Sequence, residues 1–235
     1  MGLMDAFKVR KAITLHNKGD LQGARAAYEA LYAAGVMDQN YLLPYTILLL
    51  REGGEEEAEK VKEILRKVEK LPGLSPQQRT EIHVNYACAQ YKLGHLPEAI
   101  HLLEVSHQKN PCGSTYQTLG YLYVEAGDAE KGLPFNEAAL EYDDEDSICL
   151  DNMGQFVYRV LEDKAGAKEW FDKAYALKDS QIDTLYFLSR YDEEAGDREG
   201  ALEKLEKAAG GRFSPLNYCN RETILKEIER LKGEN

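Results

Sequence analysis

Residues 113–132 read GSTYQTLGYLYVEAGDAEKG, and they contain the signals of two consecutive helices. The apolar and small residues of the first half recur at the three- and four-residue spacing of an amphipathic helix: Tyr116, Leu119, Gly120 and Tyr123. Gly127 supplies a residue that can end this helix in the left-handed conformation, and Asp128 supplies a side chain that can cap the next helix. The stretch therefore predicts a helix, a tight turn and a second helix.

The same turn signal recurs along the chain with a period of about 34 residues. In its clearest copies a glycine precedes a short polar residue, and a small residue follows four or five positions after the glycine. These small residues are Ala24, Ala58, Ala99, Gly132, Ala167 and Ala201. The one longer interval contains LPGLSP at residues 71–76, which predicts a loop insertion. Six periods of two helices each, with no sustained alternation of polar and apolar residues, predict a helical repeat architecture without a sheet.

In these features the chain resembles the tetratricopeptide repeat (TPR) family. Tyr116, Leu119-Gly120 and Tyr123 match the family's aromatic, Leu-Gly and aromatic pattern, and Ala167, Phe171 and Ala174 match its later pattern of small and aromatic residues. The fold expected is an all-α, right-handed α-solenoid of about six antiparallel helix pairs that forms a single domain over residues 1–235. The predicted repeats span about 5–37, 38–74, 75–111, 112–145, 146–179 and 180–213, and a cap helix follows at 216–232.

Small residues are predicted where two helices cross closely, and large ones in the space beside them. Gly120 and Gly154 are expected at such crossings, with Phe171 and Trp170 filling adjacent space. The cap helix is expected to cover the last repeat with one apolar stripe, formed by Ile224, Leu225, Ile228 and Leu231. The alternative for this helix is an amphipathic segment that binds a partner.

Composition restricts the classes of partner. The 235 residues include 41 acidic and 29 basic side chains, for a net charge of −12, which repels phosphate and anionic headgroups. We therefore expect no nucleic acid partner. We also expect no membrane insertion, because the longest apolar run, residues 41–50, is far shorter than the ~20 residues of a membrane span. Residues 126–206 alone carry 22 acidic and 9 basic side chains, which favours a neutral to basic protein or peptide.

Four widely spaced cysteines without a CxxC pair, and no apolar signal segment at the start, favour a cytoplasmic protein.

Catalytic motifs are missing from the sequence, so we expect no enzyme, no cofactor and no metal. The chain has no GxSxG nucleophile turn and no glycine-rich phosphate loop. His101 and His107 lie about 240° apart on a helix, which is poor geometry for one ion. Residues 143–146 lack the glycine and terminal glutamate of a calcium loop, and they predict a loop and a cap before a helix near Ser147.

The resemblance implies a binding groove on the concave face, which the first helix of each repeat lines. On that face this chain carries amides, aromatic residues and arginine where a solvated helix usually carries lysine and glutamate, a composition suited to contacting a peptide. The predicted partner-binding residues are Asn85, Tyr91, Gln117, Tyr121, Asn152, Gln155, Tyr158, Tyr186 and Arg190. All but the first three are expected to form one contiguous exposed patch. The alternative is that some of these tyrosines only pack between repeats.

A site for a terminal carboxylate is not expected, because the corresponding positions of the first repeats are apolar, as at Val9, Leu43 and Val84. The favoured function is a non-enzymatic protein–protein interaction module, an adaptor that holds a peptide or a helix of a partner protein in its concave groove. The alternative is a structural or self-associating part whose groove is filled by the protein itself. We favour a monomer, and sedimentation at several concentrations separates the two functions.

Overall fold

The computed structural model describes residues 2–233, apart from the side chain of Glu52, and all of its regular elements are helices. The predicted all-α solenoid of paired helices is confirmed, with 78% of the chain helical and no strand among the described residues. The chain divides into two compact units, the first ending at Asn110 and the second beginning at Pro111. That residues 1–235 form a single continuous domain stays a prediction.

The first unit contains three helix pairs. Its helices are α1 (Leu3–Asn17), α2 (Leu21–Ala33), α3 (Gln39–Glu52), α4 (Glu55–Val68), α5 (Pro76–Lys92) and α6 (Leu96–Lys109). Three buried tyrosines pack together where α2 meets α3. The ring of Tyr28 stacks 5.7 Å from that of Tyr41 and lies 5.9 Å from that of Tyr45. The predicted insertion is the loop between α4 and α5, where Ser75 caps α5 by accepting a hydrogen bond from the Gln78 N–H at 3.1 Å.

The second unit contains three helix pairs and a final helix. Its helices are α7 (Gly113–Ala126), α8 (Ala129–Tyr142), α9 (Ser147–Arg159), α10 (Lys164–Leu177), α11 (Ile182–Glu194), α12 (Arg198–Gly210) and α13 (Arg221–Gly233). Each helix packs mainly on the helices next to it in sequence, and α7 also packs on α9. The rings of Tyr158 on α9 and Phe187 on α11 lie 5.0 Å apart, so the first helices of successive repeats lie side by side within this unit.

The glycine–aspartate signals end and start helices as predicted. Gly127 has a φ of +64°, and the Asp128 carboxylate accepts a hydrogen bond from the Lys131 N–H at 3.0 Å. Asp146 caps α9 in the same way, accepting from the N–H groups of Ile148 and Cys149. Each cap satisfies a backbone donor that the first turn of a helix leaves without a partner.

The predicted close crossings are present in the second unit. A Cβ atom added at Gly154 would lie 2.8 Å from the ring of Phe171, and one added at Gly120 would lie 2.6 Å from the Asn136 side chain. Gly132 is tighter still, since its added Cβ would lie 2.5 Å from the ring of Phe156. These glycines let neighbouring helices approach until a side chain of one contacts the backbone of the other.

Two core predictions need correction. Phe171 is fully buried, but Trp170 is only partly buried and its ring lies under the Lys173 ammonium at 4.6 Å. Trp170 therefore covers the edge of the core. In the cap helix α13, Ile224, Ile228 and Leu231 are buried as predicted, whereas Leu225 is 46% exposed because it lies one position away from the stripe.

Candidate functional site

Within the first unit, the two predicted binding residues differ in exposure. Asn85 is buried, and its Nδ2 donates a hydrogen bond to Thr46 Oγ1 at 3.2 Å, which links α5 to α3. Tyr91, near the end of α5, is partly buried. Asn85 therefore holds two helices together in this structure, and only Tyr91 reaches the surface.

The predicted patch lies in the second unit, on the faces of α7, α9 and α11 that were expected to be concave, which we call the groove face. Three of its six residues are buried, so they do not form one exposed patch: Tyr121, Asn152 and Gln155. Asn152 Nδ2 donates to the Gln117 carbonyl oxygen at 2.8 Å, and Gln155 Nε2 donates to Asp151 at 2.8 Å. The exposure expected for these side chains was wrong, and for Asn152 the reason is that α9 packs on α7 at this position. Whether they contribute to binding stays a prediction.

The other predicted residues reach the surface of the groove face. Gln117 and Tyr186 are partly buried, and Tyr158 packs 5.0 Å from the ring of Phe187. Arg190 donates to Glu227 of α13 at 2.8 Å. Arg230 of α13 completes this network by pairing with Glu193 of α11 at 2.8 Å, so ion pairs join α11 to the final helix.

A segment of the chain itself lies on the groove face. Residues 211–220, which we call the C-terminal connector, join α12 to α13 without forming a helix. The ring of Tyr218 lies 4.3 Å from the Arg159 guanidinium carbon, 5.1 Å from the ring of Phe187 and 5.8 Å from the ring of Tyr186. Tyr218 thus bridges α9 and α11.

Asp183 anchors the connector from the first turn of α11. Its carboxylate accepts hydrogen bonds from Asn217 Nδ2 and from the Tyr218 N–H, both at 3.0 Å, and from the Cys219 N–H at 3.5 Å. Sequence reasoning did not identify Asp183 or Tyr218. The available signal was the connector itself, whose ten residues break the short-turn pattern seen between the other paired helices.

A second buried carboxyl group, that of Asp151, interacts electrostatically with Asp183. Asp151 of α9 is buried and accepts hydrogen bonds from Thr184 Oγ1 at 2.5 Å and from Gln155. Burial, and then the neighbouring Asp183 charge, raise the pKa of Asp151 to about 7, and burial also raises the pKa of Asp183. Burial therefore disfavours the charged form of both carboxyl groups, and each accepts hydrogen bonds from donors of the protein itself.

The described residues contain no group of three or more histidine, cysteine, aspartate or glutamate side chains placed to hold a metal ion. Across residues 2–233, we find no helix that combines the length and the apolar character needed to cross a bilayer.

Solved structures with the same fold include TPR proteins. A thermophilic TPR protein of Thermus thermophilus matches 97% of this chain and 98% of its own, with a TM-score of 0.52 and 16% identity. PilW, described as a widely conserved type IV pilus biogenesis factor, has a TM-score of 0.58 at 15% identity, over 96% of this chain and 100% of its own. A TPR protein from Parabacteroides merdae has a TM-score of 0.51 at 15% identity, over 98% of this chain and 100% of its own. No protein-family model and no curated protein sequence matches the chain.

Proposed function

Since the chain has the fold of tetratricopeptide repeat proteins, we propose that it is a protein–protein interaction module whose second unit binds a peptide or helix of a partner on the groove face. The observation that carries this proposal is the C-terminal connector, because a non-helical segment already lies there with its backbone N–H groups donated to Asp183. The face can thus pair with the backbone of a chain that has no regular structure.

Side-chain chemistry supports the same proposal. Arg159, Tyr186 and Arg190 are partly exposed and stand beside one another on α9 and α11. Tyrosine and arginine are the residues most enriched where protein interfaces gain their energy. The acidic surroundings favour a neutral or basic partner, and the four free cysteines fit a reducing compartment such as the cytoplasm.

The experiment compares two double variants as baits for capture from the native cell. Arg159→Ala with Arg190→Ala removes two cations from the groove face, and Lys168→Ala with Lys173→Ala removes two cations from α10 as the matched control. We expect the groove variant to lose the partners that the parent captures and the control to keep them. Equal capture by both variants would place the binding surface elsewhere.

A structural role in an assembly is the second candidate, and the first turns of α1 favour it. Leu3, Met4 and Phe7 are 91%, 73% and 71% exposed, an apolar patch of the kind that subunit contacts cover. Phe7→Ser should then shift the sedimentation coefficient of an assembled parent toward the monomer. A parent that sediments as a monomer at every concentration would exclude self-association through this patch.

A further inference from the structure

We propose that the groove face of the second unit is specific for an extended peptide with an aromatic residue directly after an amide residue, and that Asn217-Tyr218 of the connector is its resident competitor. The inference rests on the proposed function, and it adds a ligand class and a means of regulation. In this view the connector closes the site until a partner peptide replaces it.

Backbone recognition is the first part of the argument. The Asp183 carboxylate accepts two successive backbone N–H groups, those of Tyr218 and Cys219. A replacing peptide can supply the first of these donors with any residue other than proline, while the buried Cys219 keeps the second. The third donor, Asn217 Nδ2 at 3.0 Å, comes from a side chain, so this contact selects an amide at the preceding position.

Aromatic recognition is the second part. Tyr218 lies against the Arg159 guanidinium and against the rings of Phe187 and Tyr186. Arg159 is itself held by Glu125 of α7 at 2.7 Å and by Gln155 at 3.0 Å, so its position does not depend on the connector. A slot built from a fixed guanidinium and two rings suits a flat aromatic side chain.

The connector is bound in a way that permits exchange. Tyr218 remains 43% exposed, although it contacts two helices. The helix after it is fixed independently, because Ile224, Ile228 and Leu231 of α13 are buried in a cluster with Leu205 of α12. Cys219 is buried in the same cluster, so only Asn217 and Tyr218 can leave Asp183 without disturbing the packing of α13.

Charge defines the ligand that can replace the connector. Its departure would uncover the Asp183 carboxylate, which interacts electrostatically with Asp151. Uncovered carboxylates bind N–H donors and cations and repel acidic peptides. The replacing ligand is therefore a neutral or basic extended segment.

The test uses a synthetic peptide with the sequence of residues 212–220, carrying Cys219→Ser and a fluorescent label. It is titrated into the full-length parent, into the double variant Asn217→Ala with Tyr218→Ala, and into Tyr142→Ala as a control that removes an exposed tyrosine from α8. We expect the double variant to bind the peptide at least ten-fold more tightly than the parent and the control. A peptide that also carries Tyr218→Ala should bind the double variant at least ten-fold more weakly.

A folded double variant that binds the peptide no better than the parent overturns the inference. If the double variant does not fold, Tyr218→Leu replaces it with the same expectation, since leucine retains apolar contact but not the aromatic ring. A parent that sediments as a dimer and a variant that sediments as a monomer would also overturn it, because a second copy would then be the occupant. The two proposals can fail separately. If the peptide test fails but the double variant Arg159→Ala with Arg190→Ala still loses its partners, the proposed function stands. If that double variant keeps its partners, the proposed function itself is contradicted.

Discussion

Asp151 and Asp183 are buried carboxyl groups that interact with each other at the base of the groove face. Folding raises the pKa of Asp151 from an ordinary value near 4 to about 7. Between these two values the native state keeps a proton that the unfolded chain has released. This group therefore lowers the free energy of unfolding as the pH rises from about 4 to about 7. Above that range its destabilising contribution no longer changes with pH.

Asp151→Asn removes this penalty and keeps an oxygen that can accept a hydrogen bond. We expect the variant to be more stable than the parent by about 1–3 kcal/mol at pH 8, and we expect the difference to vanish near pH 4. Urea denaturation at several pH values measures it. Asp144→Asn, an exposed position, should differ from the parent by less than about 0.5 kcal/mol throughout. A gain at pH 4 equal to that at pH 8 would contradict the raised pKa.

Sequence reasoning identified residues whose partners are close in the sequence, and it missed residues whose partners are distant in the sequence. Asp128 acts on an N–H group three residues away, so its role is visible in a short window. Asp183 acts on Tyr218, 35 residues later, through a connector that follows no repeat. Gln155 was expected to be exposed but is buried, and its burial depends on packing that the sequence does not position in detail.

At the scale of elements, glycines set how closely helices approach. Gly132→Ala would place a Cβ 2.5 Å from the ring of Phe156, which is fully buried and has no space to move into. We expect a loss of about 1–3 kcal/mol despite the better helix propensity of alanine. Gly113→Ala, where an added Cβ meets no atom within 4 Å, is the control and should not lower stability. Thermal melts compare the two, and equal midpoints would show that α8 and α9 are not in contact there.

The final helix offers a matched pair of substitutions. Ile224→Ala should cost about 2–4 kcal/mol, because Ile224 is fully buried against α12. Leu225→Ala, at the neighbouring exposed position, should change the free energy of unfolding by less than about 0.5 kcal/mol. Chemical denaturation measures both. The reverse order of effects would mean that α13 is rotated about its axis relative to this structure.

At the scale of the whole molecule, each repeat is stabilised chiefly by its neighbours. Phe171 stacks 4.8 Å from Phe187 and joins α10 to α11. We expect Phe171→Ala to cost about 3–5 kcal/mol and to lower hydrogen-exchange protection in α9, α10 and α11, while α2, α3 and α4 keep theirs. A uniform loss of protection over both units would instead indicate one fully cooperative structure.

The helical repeat architecture was predictable because a period of about 34 residues repeats the same signals six times. The division after Asn110 was not, since it lies beside one of the predicted repeat boundaries, which carries no sequence signal that distinguishes it from the others. The groove face was assigned from periodicity. That the connector lies on this face could not be predicted, because residues 211–220 carry no periodic signal.

The most direct test of the groove face as the binding surface is a competition elution. The double variant Asn217→Ala with Tyr218→Ala is immobilised, allowed to capture partners from the native cell, and washed with the 212–220 peptide. The account predicts that this peptide releases the captured partners and that the same peptide with Tyr218→Ala does not. Partners that stay bound while the peptide itself occupies the groove face would contradict it.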